Sequence, residues 1–193
     1  YSDKLSQEDV EKRLIKIKRE VGDMTTMLED ILIIGKSESQ KLQFNAKEID
    51  LVDVVKNIIS EYQLTQEKER DVSYRFFPDI IIMTADPKWI KHIVINLFSN
   101  ALKYSESPAS VEIEIRQKGK EIILSVSDQG IGILEQDQKT LFEPFQRGEN
   151  VGNISGTGLG LSVLEKAVVL HQGTIKIESK LNSGSTFIVS LPV

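Results

Sequence analysis

Cysteine is absent from this sequence of 193 residues, which excludes disulfide bonds, cysteine catalysis and thiolate metal sites. Long apolar runs are absent as well: a run such as Ile31–Ile34 is far shorter than a membrane span, and we expect no signal peptide. Basic residues are not in excess, because the net charge is −5, so we expect no nucleic-acid partner. These absences fit a cytoplasmic domain, although a longer parent protein could carry a membrane anchor elsewhere.

The composition is that of a globular protein, with 40% hydrophobic and 27% charged residues. A chain of this length can form one domain with a substantial core, together with one additional element. The chain begins with Tyr1 rather than Met, which predicts that it is a piece of a longer protein.

Residues 1–40 are dominated by one predicted long helix, at 8–35. Its apolar residues recur at alternating intervals of four and three positions: Val10, Leu14, Ile17, Val21, Met24, Leu28 and Ile31. A seam this narrow is typical of a helix in a helical bundle, packed against a partner helix, more than of a helix packed on its own domain. Gly35 and the polar residues up to Gln40 are predicted to end the helix and to link it to a second domain, residues 41–193.

The second domain mixes helical and strand patterns. Helices are predicted at 51–68, at 86–104 and up to 171, and strands at 42–46, 72–77, 80–84, 111–116, 122–126, 173–180 and 185–191. Between residues 134 and 157 the regular pattern fails. This order predicts an α+β fold, a two-layer α/β sandwich in which a mixed sheet carries helices on one face.

The helix at 86–104 carries a polar stripe beside its apolar one. Asp86 is a typical N-cap, and Pro87 fits the first helical position. The stripe consists of polar residues three or four positions apart: His92, Asn96, Asn100 and Lys103. Asparagine is a poor helix former, so two of them one turn apart need a reason. A solvated face is the ordinary explanation, and a site for a metal-bound phosphate chain is the alternative.

Glycines mark two further candidate sites. Gly158 and Gly160 lie where a loop enters a helix, and bare N–H groups at a helix start can bind phosphate. No strand precedes them, as a Rossmann fingerprint requires, and no Walker-type Lys follows, so a flexible loop is the alternative. Asp128 follows a predicted strand and precedes Gly130 and Gly132. A strand-ending turn is the ordinary explanation, but the carboxylate could also accept a hydrogen bond from an exocyclic amine.

Together these segments resemble one family. Four motifs occur in order: an Asn helix (Asn96, Asn100, Lys103, Tyr104), Asp128-x-Gly130-x-Gly132, Phe142-x-Pro144-Phe145 and Gly156-x-Gly158-x-Gly160. They are similar to the N, G1, F and G2 boxes of the ATP-binding catalytic domain of sensor histidine kinases. The wider superfamily includes gyrase, a heat-shock chaperone, mismatch-repair ATPases and anti-sigma serine kinases. The resemblance covers about residues 49–193, and the helix at 8–35 resembles the second helix of the dimerisation and phosphotransfer domain.

The resemblance implies roles for the polar stripe. Asn100 would bind Mg²⁺ through its side-chain oxygen, and Asn96 would lie close to the metal and the phosphates. Lys103 would contact the phosphates, and Tyr104 would lie beside the nucleotide. Arg147 is similar to an arginine that approaches the γ-phosphate, so the implied catalytic residues are Asn96, Lys103 and Arg147.

The resemblance also implies which residues surround the base and close the site. Asp128 would accept a hydrogen bond from the adenine amino group, with Gly130 and Gly132 flanking the base. Four residues of a lid would cover the phosphates: Gly156, Gly158, Leu159 and Gly160. The implied cofactors are ATP and Mg²⁺, and the implied reaction is transfer of the γ-phosphoryl group to a histidine.

That phosphoacceptor histidine is missing from the sequence. In the family an acidic residue follows it, whereas Ile93 follows His92, and His171 ends a helix, where a capping and dipole role is simpler. The implied partners are an acceptor helix upstream or on another chain, a response-regulator receiver domain, and a second copy bound through the helix at 8–35. Two alternatives stay open: an ATPase or serine kinase of the same superfamily, and a pseudokinase that binds nucleotide or nothing and acts as a dimeric scaffold.

Overall fold

The computed structural model describes residues 7–38, 42–63, 72–105, 110–152, 154 and 156–193. The chain divides into two compact units, Tyr1–Leu42 and Gln43–Val193. None of the helices among the described residues combines the length and the apolar character needed to cross a membrane.

Helix α1, Gln7–Glu38, is the main described element of the first unit. All of the seam residues predicted from the sequence are exposed, from 40% for Ile31 to 65% for Met24. The prediction that Gly35 ends the helix is wrong. A single glycine costs a helix only about 1 kcal/mol relative to alanine, and Lys36 in the last turn interacts favourably with the helix dipole.

The second unit contains the remaining elements. Its strands are β1 (Lys47–Asp50), β2 (Val72–Phe77), β3 (Ile82–Ala85), β4 (Val111–Lys118), β5 (Glu121–Asp128), β6 (Thr174–Lys180) and β7 (Gly184–Pro192). Its helices are α2 (Leu51–Gln63), α3 (Pro87–Tyr104), the short α4 (Glu135–Gln138) and α5 (Gly160–Leu170). A 3₁₀ turn lies at Glu149–Val151 within the segment where the regular pattern was expected to fail.

One mixed sheet organises this unit. Its strand order is β2-β4-β5-β7-β6, with β2 parallel to β4 and the other neighbours antiparallel. A second small sheet, which the sequence pattern did not predict, pairs β1 with β3 in antiparallel register. The predicted α+β class, a mixed sheet packed against helices, is confirmed.

Two predicted strands differ from the structure, and one predicted helix end lies outside the described residues. Residues 42–46 do not form a strand, because their polar groups bind α3 instead: Trp89 Nε1 donates to the Gln43 carbonyl at 2.9 Å. The strand predicted at 80–84 begins only at Ile82. The backbone of Ile81 is used at the start of α2, where its carbonyl accepts from Leu51 N–H at 2.8 Å. Helix α2 is described as far as Gln63, and its predicted end at residue 68 lies outside the described residues.

The core lies between the five-stranded sheet and the helices α2, α3 and α5. Strand residues that face the helices are buried: Val111, Ile113, Ile115, Ile122, Leu124, Val126, Phe187, Val189 and Leu191. Helix α3 contacts α2, α5, β4 and β5, and its Ile93 and Leu97 are at most 1% exposed. Burying a side chain of this size stabilises the fold by roughly 1.5–3 kcal/mol. Core packing therefore fixes the position of α3 and, with it, the polar stripe.

Capping interactions join the start of α3 to the end of α5. Asp86 accepts from Lys88 N–H at 2.9 Å, which confirms it as the N-cap. The backbone N–H of Asp86 donates to His171 Nε2 at 3.2 Å, and Nδ1 of the same ring donates to the Ala167 carbonyl at 2.8 Å. Burial lowers the pKa of His171. The ring therefore caps α5 as a neutral hydrogen-bond partner and not as a charge that interacts with the helix dipole.

Candidate functional site

The polar stripe of α3 meets the start of α5. The Asn96 amide donates from Nδ2 to the His92 carbonyl at 2.9 Å, which fixes the orientation of the amide. A Cβ at Gly160 would collide with Asn96 Oδ1. Glycine at the first position of α5 therefore leaves room for the Asn96 side-chain oxygen against the start of this helix.

Helix α5 presents its N-terminus at this contact. No side chain of its N-cap residue, Leu159, binds the first turn, and the Leu159 side chain is fully buried in the core. The Leu159 N–H itself is held by Thr157 Oγ1 at 3.2 Å. A helix start carries partial positive charge, so this end of α5 attracts anions.

A cation lies beside the same glycine-rich loop. A Cβ at Gly156 would collide with Lys103 Nζ, so the loop backbone passes directly over the ammonium group. The same Nζ lies 4.9 Å from the centre of the Tyr104 ring. Because Asn96 and Lys103 are on one face of α3, the two loop glycines and the start of α5 form one polar, positively charged wall.

Asp128 is the last residue of β5 and pairs with Ser185 at the start of the neighbouring strand β7. Its carboxylate accepts the Gly130 N–H at 2.8 Å and the backbone N–H of Ser185. Burial raises the pKa of Asp128 above its usual range, although both hydrogen bonds favour the ionised form. A carboxylate can accept about four hydrogen bonds, so these two leave capacity for a ligand donor.

The loop after β5 packs against the end of α3. Ile131 N–H donates to the Tyr104 carbonyl at 3.1 Å, and a Cβ at Gly130 would collide with that carbonyl. Gly132 has a φ of 66°, and a Cβ there would collide with the Lys180 carbonyl in the last residue of β6. Asp128 and Tyr104 are therefore held at one end of the site by backbone contacts that tolerate only glycine.

Asn100 lies half-buried on the stripe, one turn beyond Asn96. Its amide oxygen is a neutral, hard donor of the kind that Mg²⁺ accepts in proteins. Within the described residues, no group of three or more His, Cys, Asp or Glu side chains is arranged to hold a metal ion.

Two of the candidate residues lie apart from this wall. Gly158 accepts the Phe145 N–H at 3.0 Å, and a Cβ there would meet the Gln146 carbonyl at 2.7 Å, so it packs on the loop rather than on α3. Phe145 is 64% exposed with a φ of 65°, a rare conformation for a bulky residue. Arg147 is exposed, and its guanidinium donates to the Ile154 carbonyl within the same loop.

Two site residues were not predicted from the sequence. Ser185 holds the Asp128 carboxylate because β5 and β7 pair in register, a contact between residues far apart in the chain. Asn150 donates from Nδ2 to the Gly132 carbonyl at 2.9 Å, although it lies in a polar stretch without a regular pattern. The position of Ser185 directly after Gly184 could have suggested a backbone approach, whereas nothing local identifies Asn150.

The chain matches the family model described as histidine kinase-, DNA gyrase B- and HSP90-like ATPase over residues 85–193. The circadian input-output histidine kinase CikA of Synechococcus elongatus is 33% identical, over 94% of this chain and 25% of that protein. The Acinetobacter baumannii histidine kinase AdeS is 26% identical with a TM-score of 0.74, over 98% of this chain and 86% of that structure. The histidine kinase ThkA, solved in complex with the response regulator TrrA, is 21% identical with a TM-score of 0.75, over 100% of this chain and 53% of that one.

These similarities support different conclusions about the fold and the family. At 21% identity the ThkA complex shows the fold alone, whereas the family model covers more than half of the chain, including every residue of the four motifs. The chain spans less than half the length of the curated relatives compared, for example 48% of the adaptive-response sensory kinase SasA of Synechocystis. The resemblance that the four motifs indicated is confirmed. The chain belongs to the histidine kinase-, DNA gyrase B- and HSP90-like ATPase family, as an ATP-binding catalytic domain of the sensor histidine kinase type.

Proposed function

We propose that this domain binds Mg·ATP and transfers the γ-phosphoryl group to a histidine that the chain does not itself supply, for relay to an aspartate of a response regulator. The observation that carries the proposal is the positively charged wall, in which Lys103 and Asn96 meet the backbone of Gly156 and Gly160. A phosphate chain along this wall would contact an ammonium group, bare N–H groups and the start of α5 together.

The base would bind at the other end of the site. Asp128 has unused acceptor capacity, and the exocyclic amine of adenine is a donor of matching chemistry. Gly130 and Gly132 keep side chains out of the space beside the base, and Tyr104 lies next to them. The distance between Asp128 and the wall is bridged by α3 and the loop after β5, which are joined at the Tyr104 carbonyl.

Mg²⁺ fits the donor set at Asn100. The ion usually keeps several waters and phosphate oxygens and takes few protein ligands, so one amide oxygen would complete its shell. When bound, it would supply positive charge that neutralises the phosphates. Asn100 would orient this assembly, Asn96 would lie beside it, and Lys103 would neutralise the phosphates further.

Asn96 favours phosphoryl transfer over hydrolysis. An amide has no basic form near neutral pH, so Asn96 cannot take a proton from water as a carboxylate could. A neutral imidazole needs no base in order to attack, so ATP would be spared until a histidine arrives. Arg147 would approach the γ-phosphate only after leaving the Ile154 carbonyl.

The acceptor and the other partners would come from outside this domain. Both ring nitrogens of His171 are engaged in hydrogen bonds, which makes it unsuitable as an acceptor. The exposed seam of α1 offers a surface for a second copy or for the helix that carries the acceptor. ATP as the donor and a response regulator as the recipient would place the reaction in the cytoplasm.

Steady-state phosphate release at saturating Mg·ATP tests the distinction between kinase and ATPase. We expect release far below the ~10 s⁻¹ typical of enzymes, because a positioned general base usually contributes about 10²–10⁴-fold. Asn96→Glu should raise the rate, and Asn100→Ala gives the blank. Fast release by the unmodified chain, lost in the blank, would contradict the proposal and favour the ATPase. Failure to bind ATP would favour the scaffold.

A further inference from the structure

The segment that leads into the glycine-rich loop is held on the body of the domain by side-chain hydrogen bonds, one of which joins Gln136 Nε2 to Glu149 Oε2 at 3.0 Å. We call residues 148–159 the lid loop; its positions 153 and 155 lie outside the described residues. Glu149 N–H donates to Asp137 Oδ2 at 2.9 Å, and Asn150 Nδ2 donates to the Gly132 carbonyl at 2.9 Å. We call Asp137 and Asn150 the lid anchor.

The two anchor bonds lie close together. A Cβ at Gly148 would meet Asn150 Oδ1 at 3.1 Å and Asp137 Oδ2 at 3.2 Å, so the loop enters directly between them. Val151 N–H closes the turn on the Gly148 carbonyl at 3.2 Å. Three consecutive residues, 148–150, are therefore fixed against α4 and the loop after β5.

The anchor connects the two ends of the candidate nucleotide site. Gly132, whose carbonyl Asn150 binds, belongs to the loop beside the base, while the lid loop continues to Gly156 above Lys103. From Asn150 to Gly156 the chain can span at most about 3.3–3.6 Å per residue, so the anchor limits where the backbone of Gly156 can lie.

From these contacts we propose that Asp137 and Asn150 are positioning residues for ATP binding. They touch neither the base nor the phosphates; they hold the start of the lid loop so that its glycines meet the phosphate chain. This inference rests on the proposed ATP site. It adds that losing either anchor bond weakens ATP binding although the side chains of the wall and Asp128 are unchanged.

The charge of Asp137 allows a sharp test. Removing a negative charge from a domain that binds a polyanion should by itself favour ATP binding and not weaken it. If the anchor positions the lid loop, Asp137→Ala should instead weaken ATP binding, because the Glu149 N–H loses its acceptor. Asp137→Asn removes the same charge but keeps an acceptor oxygen, so it should bind ATP at least as tightly as the unmodified chain. Glu135→Ala is the matched control, since it removes one exposed carboxylate from the same short helix.

The experiment is calorimetric titration of Mg·ATP into the unmodified chain and these variants, together with Asn150→Ala. We expect Asp137→Ala and Asn150→Ala to lose roughly three- to tenfold in affinity, the typical net value of one hydrogen bond. Asp137→Asn and Glu135→Ala should lose none. Thermal unfolding without nucleotide should be unchanged in all four variants, because the anchor is at an irregular segment near the surface.

Two outcomes would overturn the inference. Asp137→Ala that binds ATP as tightly as Glu135→Ala would show that only charge matters at this position. Asn150→Ala with unmodified affinity would remove the second bond. Either result, with ATP bound by the unmodified chain, leaves the proposed function standing, whereas absence of ATP binding by the unmodified chain would contradict the function itself.

Discussion

Asp128 shows how a single residue of the site works against the stability of the fold. Its carboxylate is held by two backbone N–H groups, yet burial still raises its pKa, so the ionised form is less favourable in the folded state than in the unfolded chain. A folded-state pKa above the unfolded value of 3.8 means that ionised Asp128 destabilises the fold at neutral pH.

The prediction concerns Asp128→Asn. The amide keeps an acceptor for the Gly130 N–H, but it presents a donor to the adenine amine, so ATP affinity should fall by roughly ten- to a hundredfold. The unfolding temperature of the variant at pH 7 should be equal to or above that of the unmodified chain. Any such gain should vanish below pH 3.8, where Asp128 is protonated in both the folded and the unfolded chain and is as neutral as asparagine. Calorimetric titration and thermal unfolding measure both effects. Unchanged ATP affinity would remove Asp128 from the site.

His171 makes the free energy of unfolding depend on pH in the direction opposite to that of Asp128. Burial lowers its pKa in the fold from 6.5, and the nearby charge of Asp86 only partly offsets this. As pH falls through 6.5 the unfolded chain takes up the proton first, so the free energy of unfolding should decrease.

The comparison variant is His171→Asn, whose amide can still donate to the Ala167 carbonyl. Urea unfolding at about pH 7.5 and 5.5 should show a larger loss of stability in the unmodified chain than in the variant, since the other titratable groups are common to both. The same loss in both proteins would rule out His171 as the source.

Residues could be predicted from the sequence when their surroundings were local. Asp86 with Pro87 shows its capping role within a few positions, and Asp128 with the two glycines after it shows the turn that ends β5. Ser185 and Asn150 could not be predicted in this way. Their hydrogen bonds depend on the pairing of β5 with β7 and on the path of an irregular loop, and neither leaves a periodic pattern.

Among the elements, α1 exposes an apolar seam of the kind that normally packs against a partner helix. Its seam repeats as a heptad, and every member is exposed in the single chain. Met24 lies on the seam, while Thr26 lies on the opposite side of the helix and binds the Gly22 carbonyl at 3.1 Å.

We expect the chain to self-associate through this seam and Met24→Asp to abolish the association, because a charge cannot be buried there without a partner. Thr26→Asp adds the same charge at a nearby position along the helix axis but outside the seam, and it should leave association intact. Sedimentation velocity over a range of concentrations measures this. A monomer at every concentration, or equal effects of the two variants, would contradict the dimer seam.

The elements also show where sequence patterns reach their limit. Strong periodicity located α3, the hairpin of β4 and β5, and the last two strands. The small sheet of β1 and β3 was missed because its strands are short and separated by α2 and β2, so no hairpin signal links them. The end of α1 was predicted too early, at Gly35, because glycine is common just after the last turn of a helix.

For the whole molecule, the central question is where the phosphoryl group goes. Incubated alone with γ-labelled ATP, the chain should form no acid-labile phosphohistidine, because neither of its two histidines is suited to accept it. Addition of a separate helix that carries an acceptor histidine should restore labelling, on that helix.

The controls for this prediction are His92→Gln and His171→Gln. Labelling of the unmodified chain alone that disappears in either variant would contradict the assignment of the acceptor to another segment. If the Asn100→Ala variant still labels the supplied helix, phosphoryl transfer does not require the proposed metal ligand.

Helix α3 packs in the core with one face and carries the polar stripe of the positively charged wall on another, and this limits how the molecule can change. Successive residues of a helix are about 100° apart around its axis. One residue inserted or deleted between Ile90 and Asn96 would rotate the rest of the helix by about 100° relative to its start, so both asparagines and the apolar residues after them would lose their positions. Variation in length should therefore be confined to the connecting loops, and α3 should vary only by substitution.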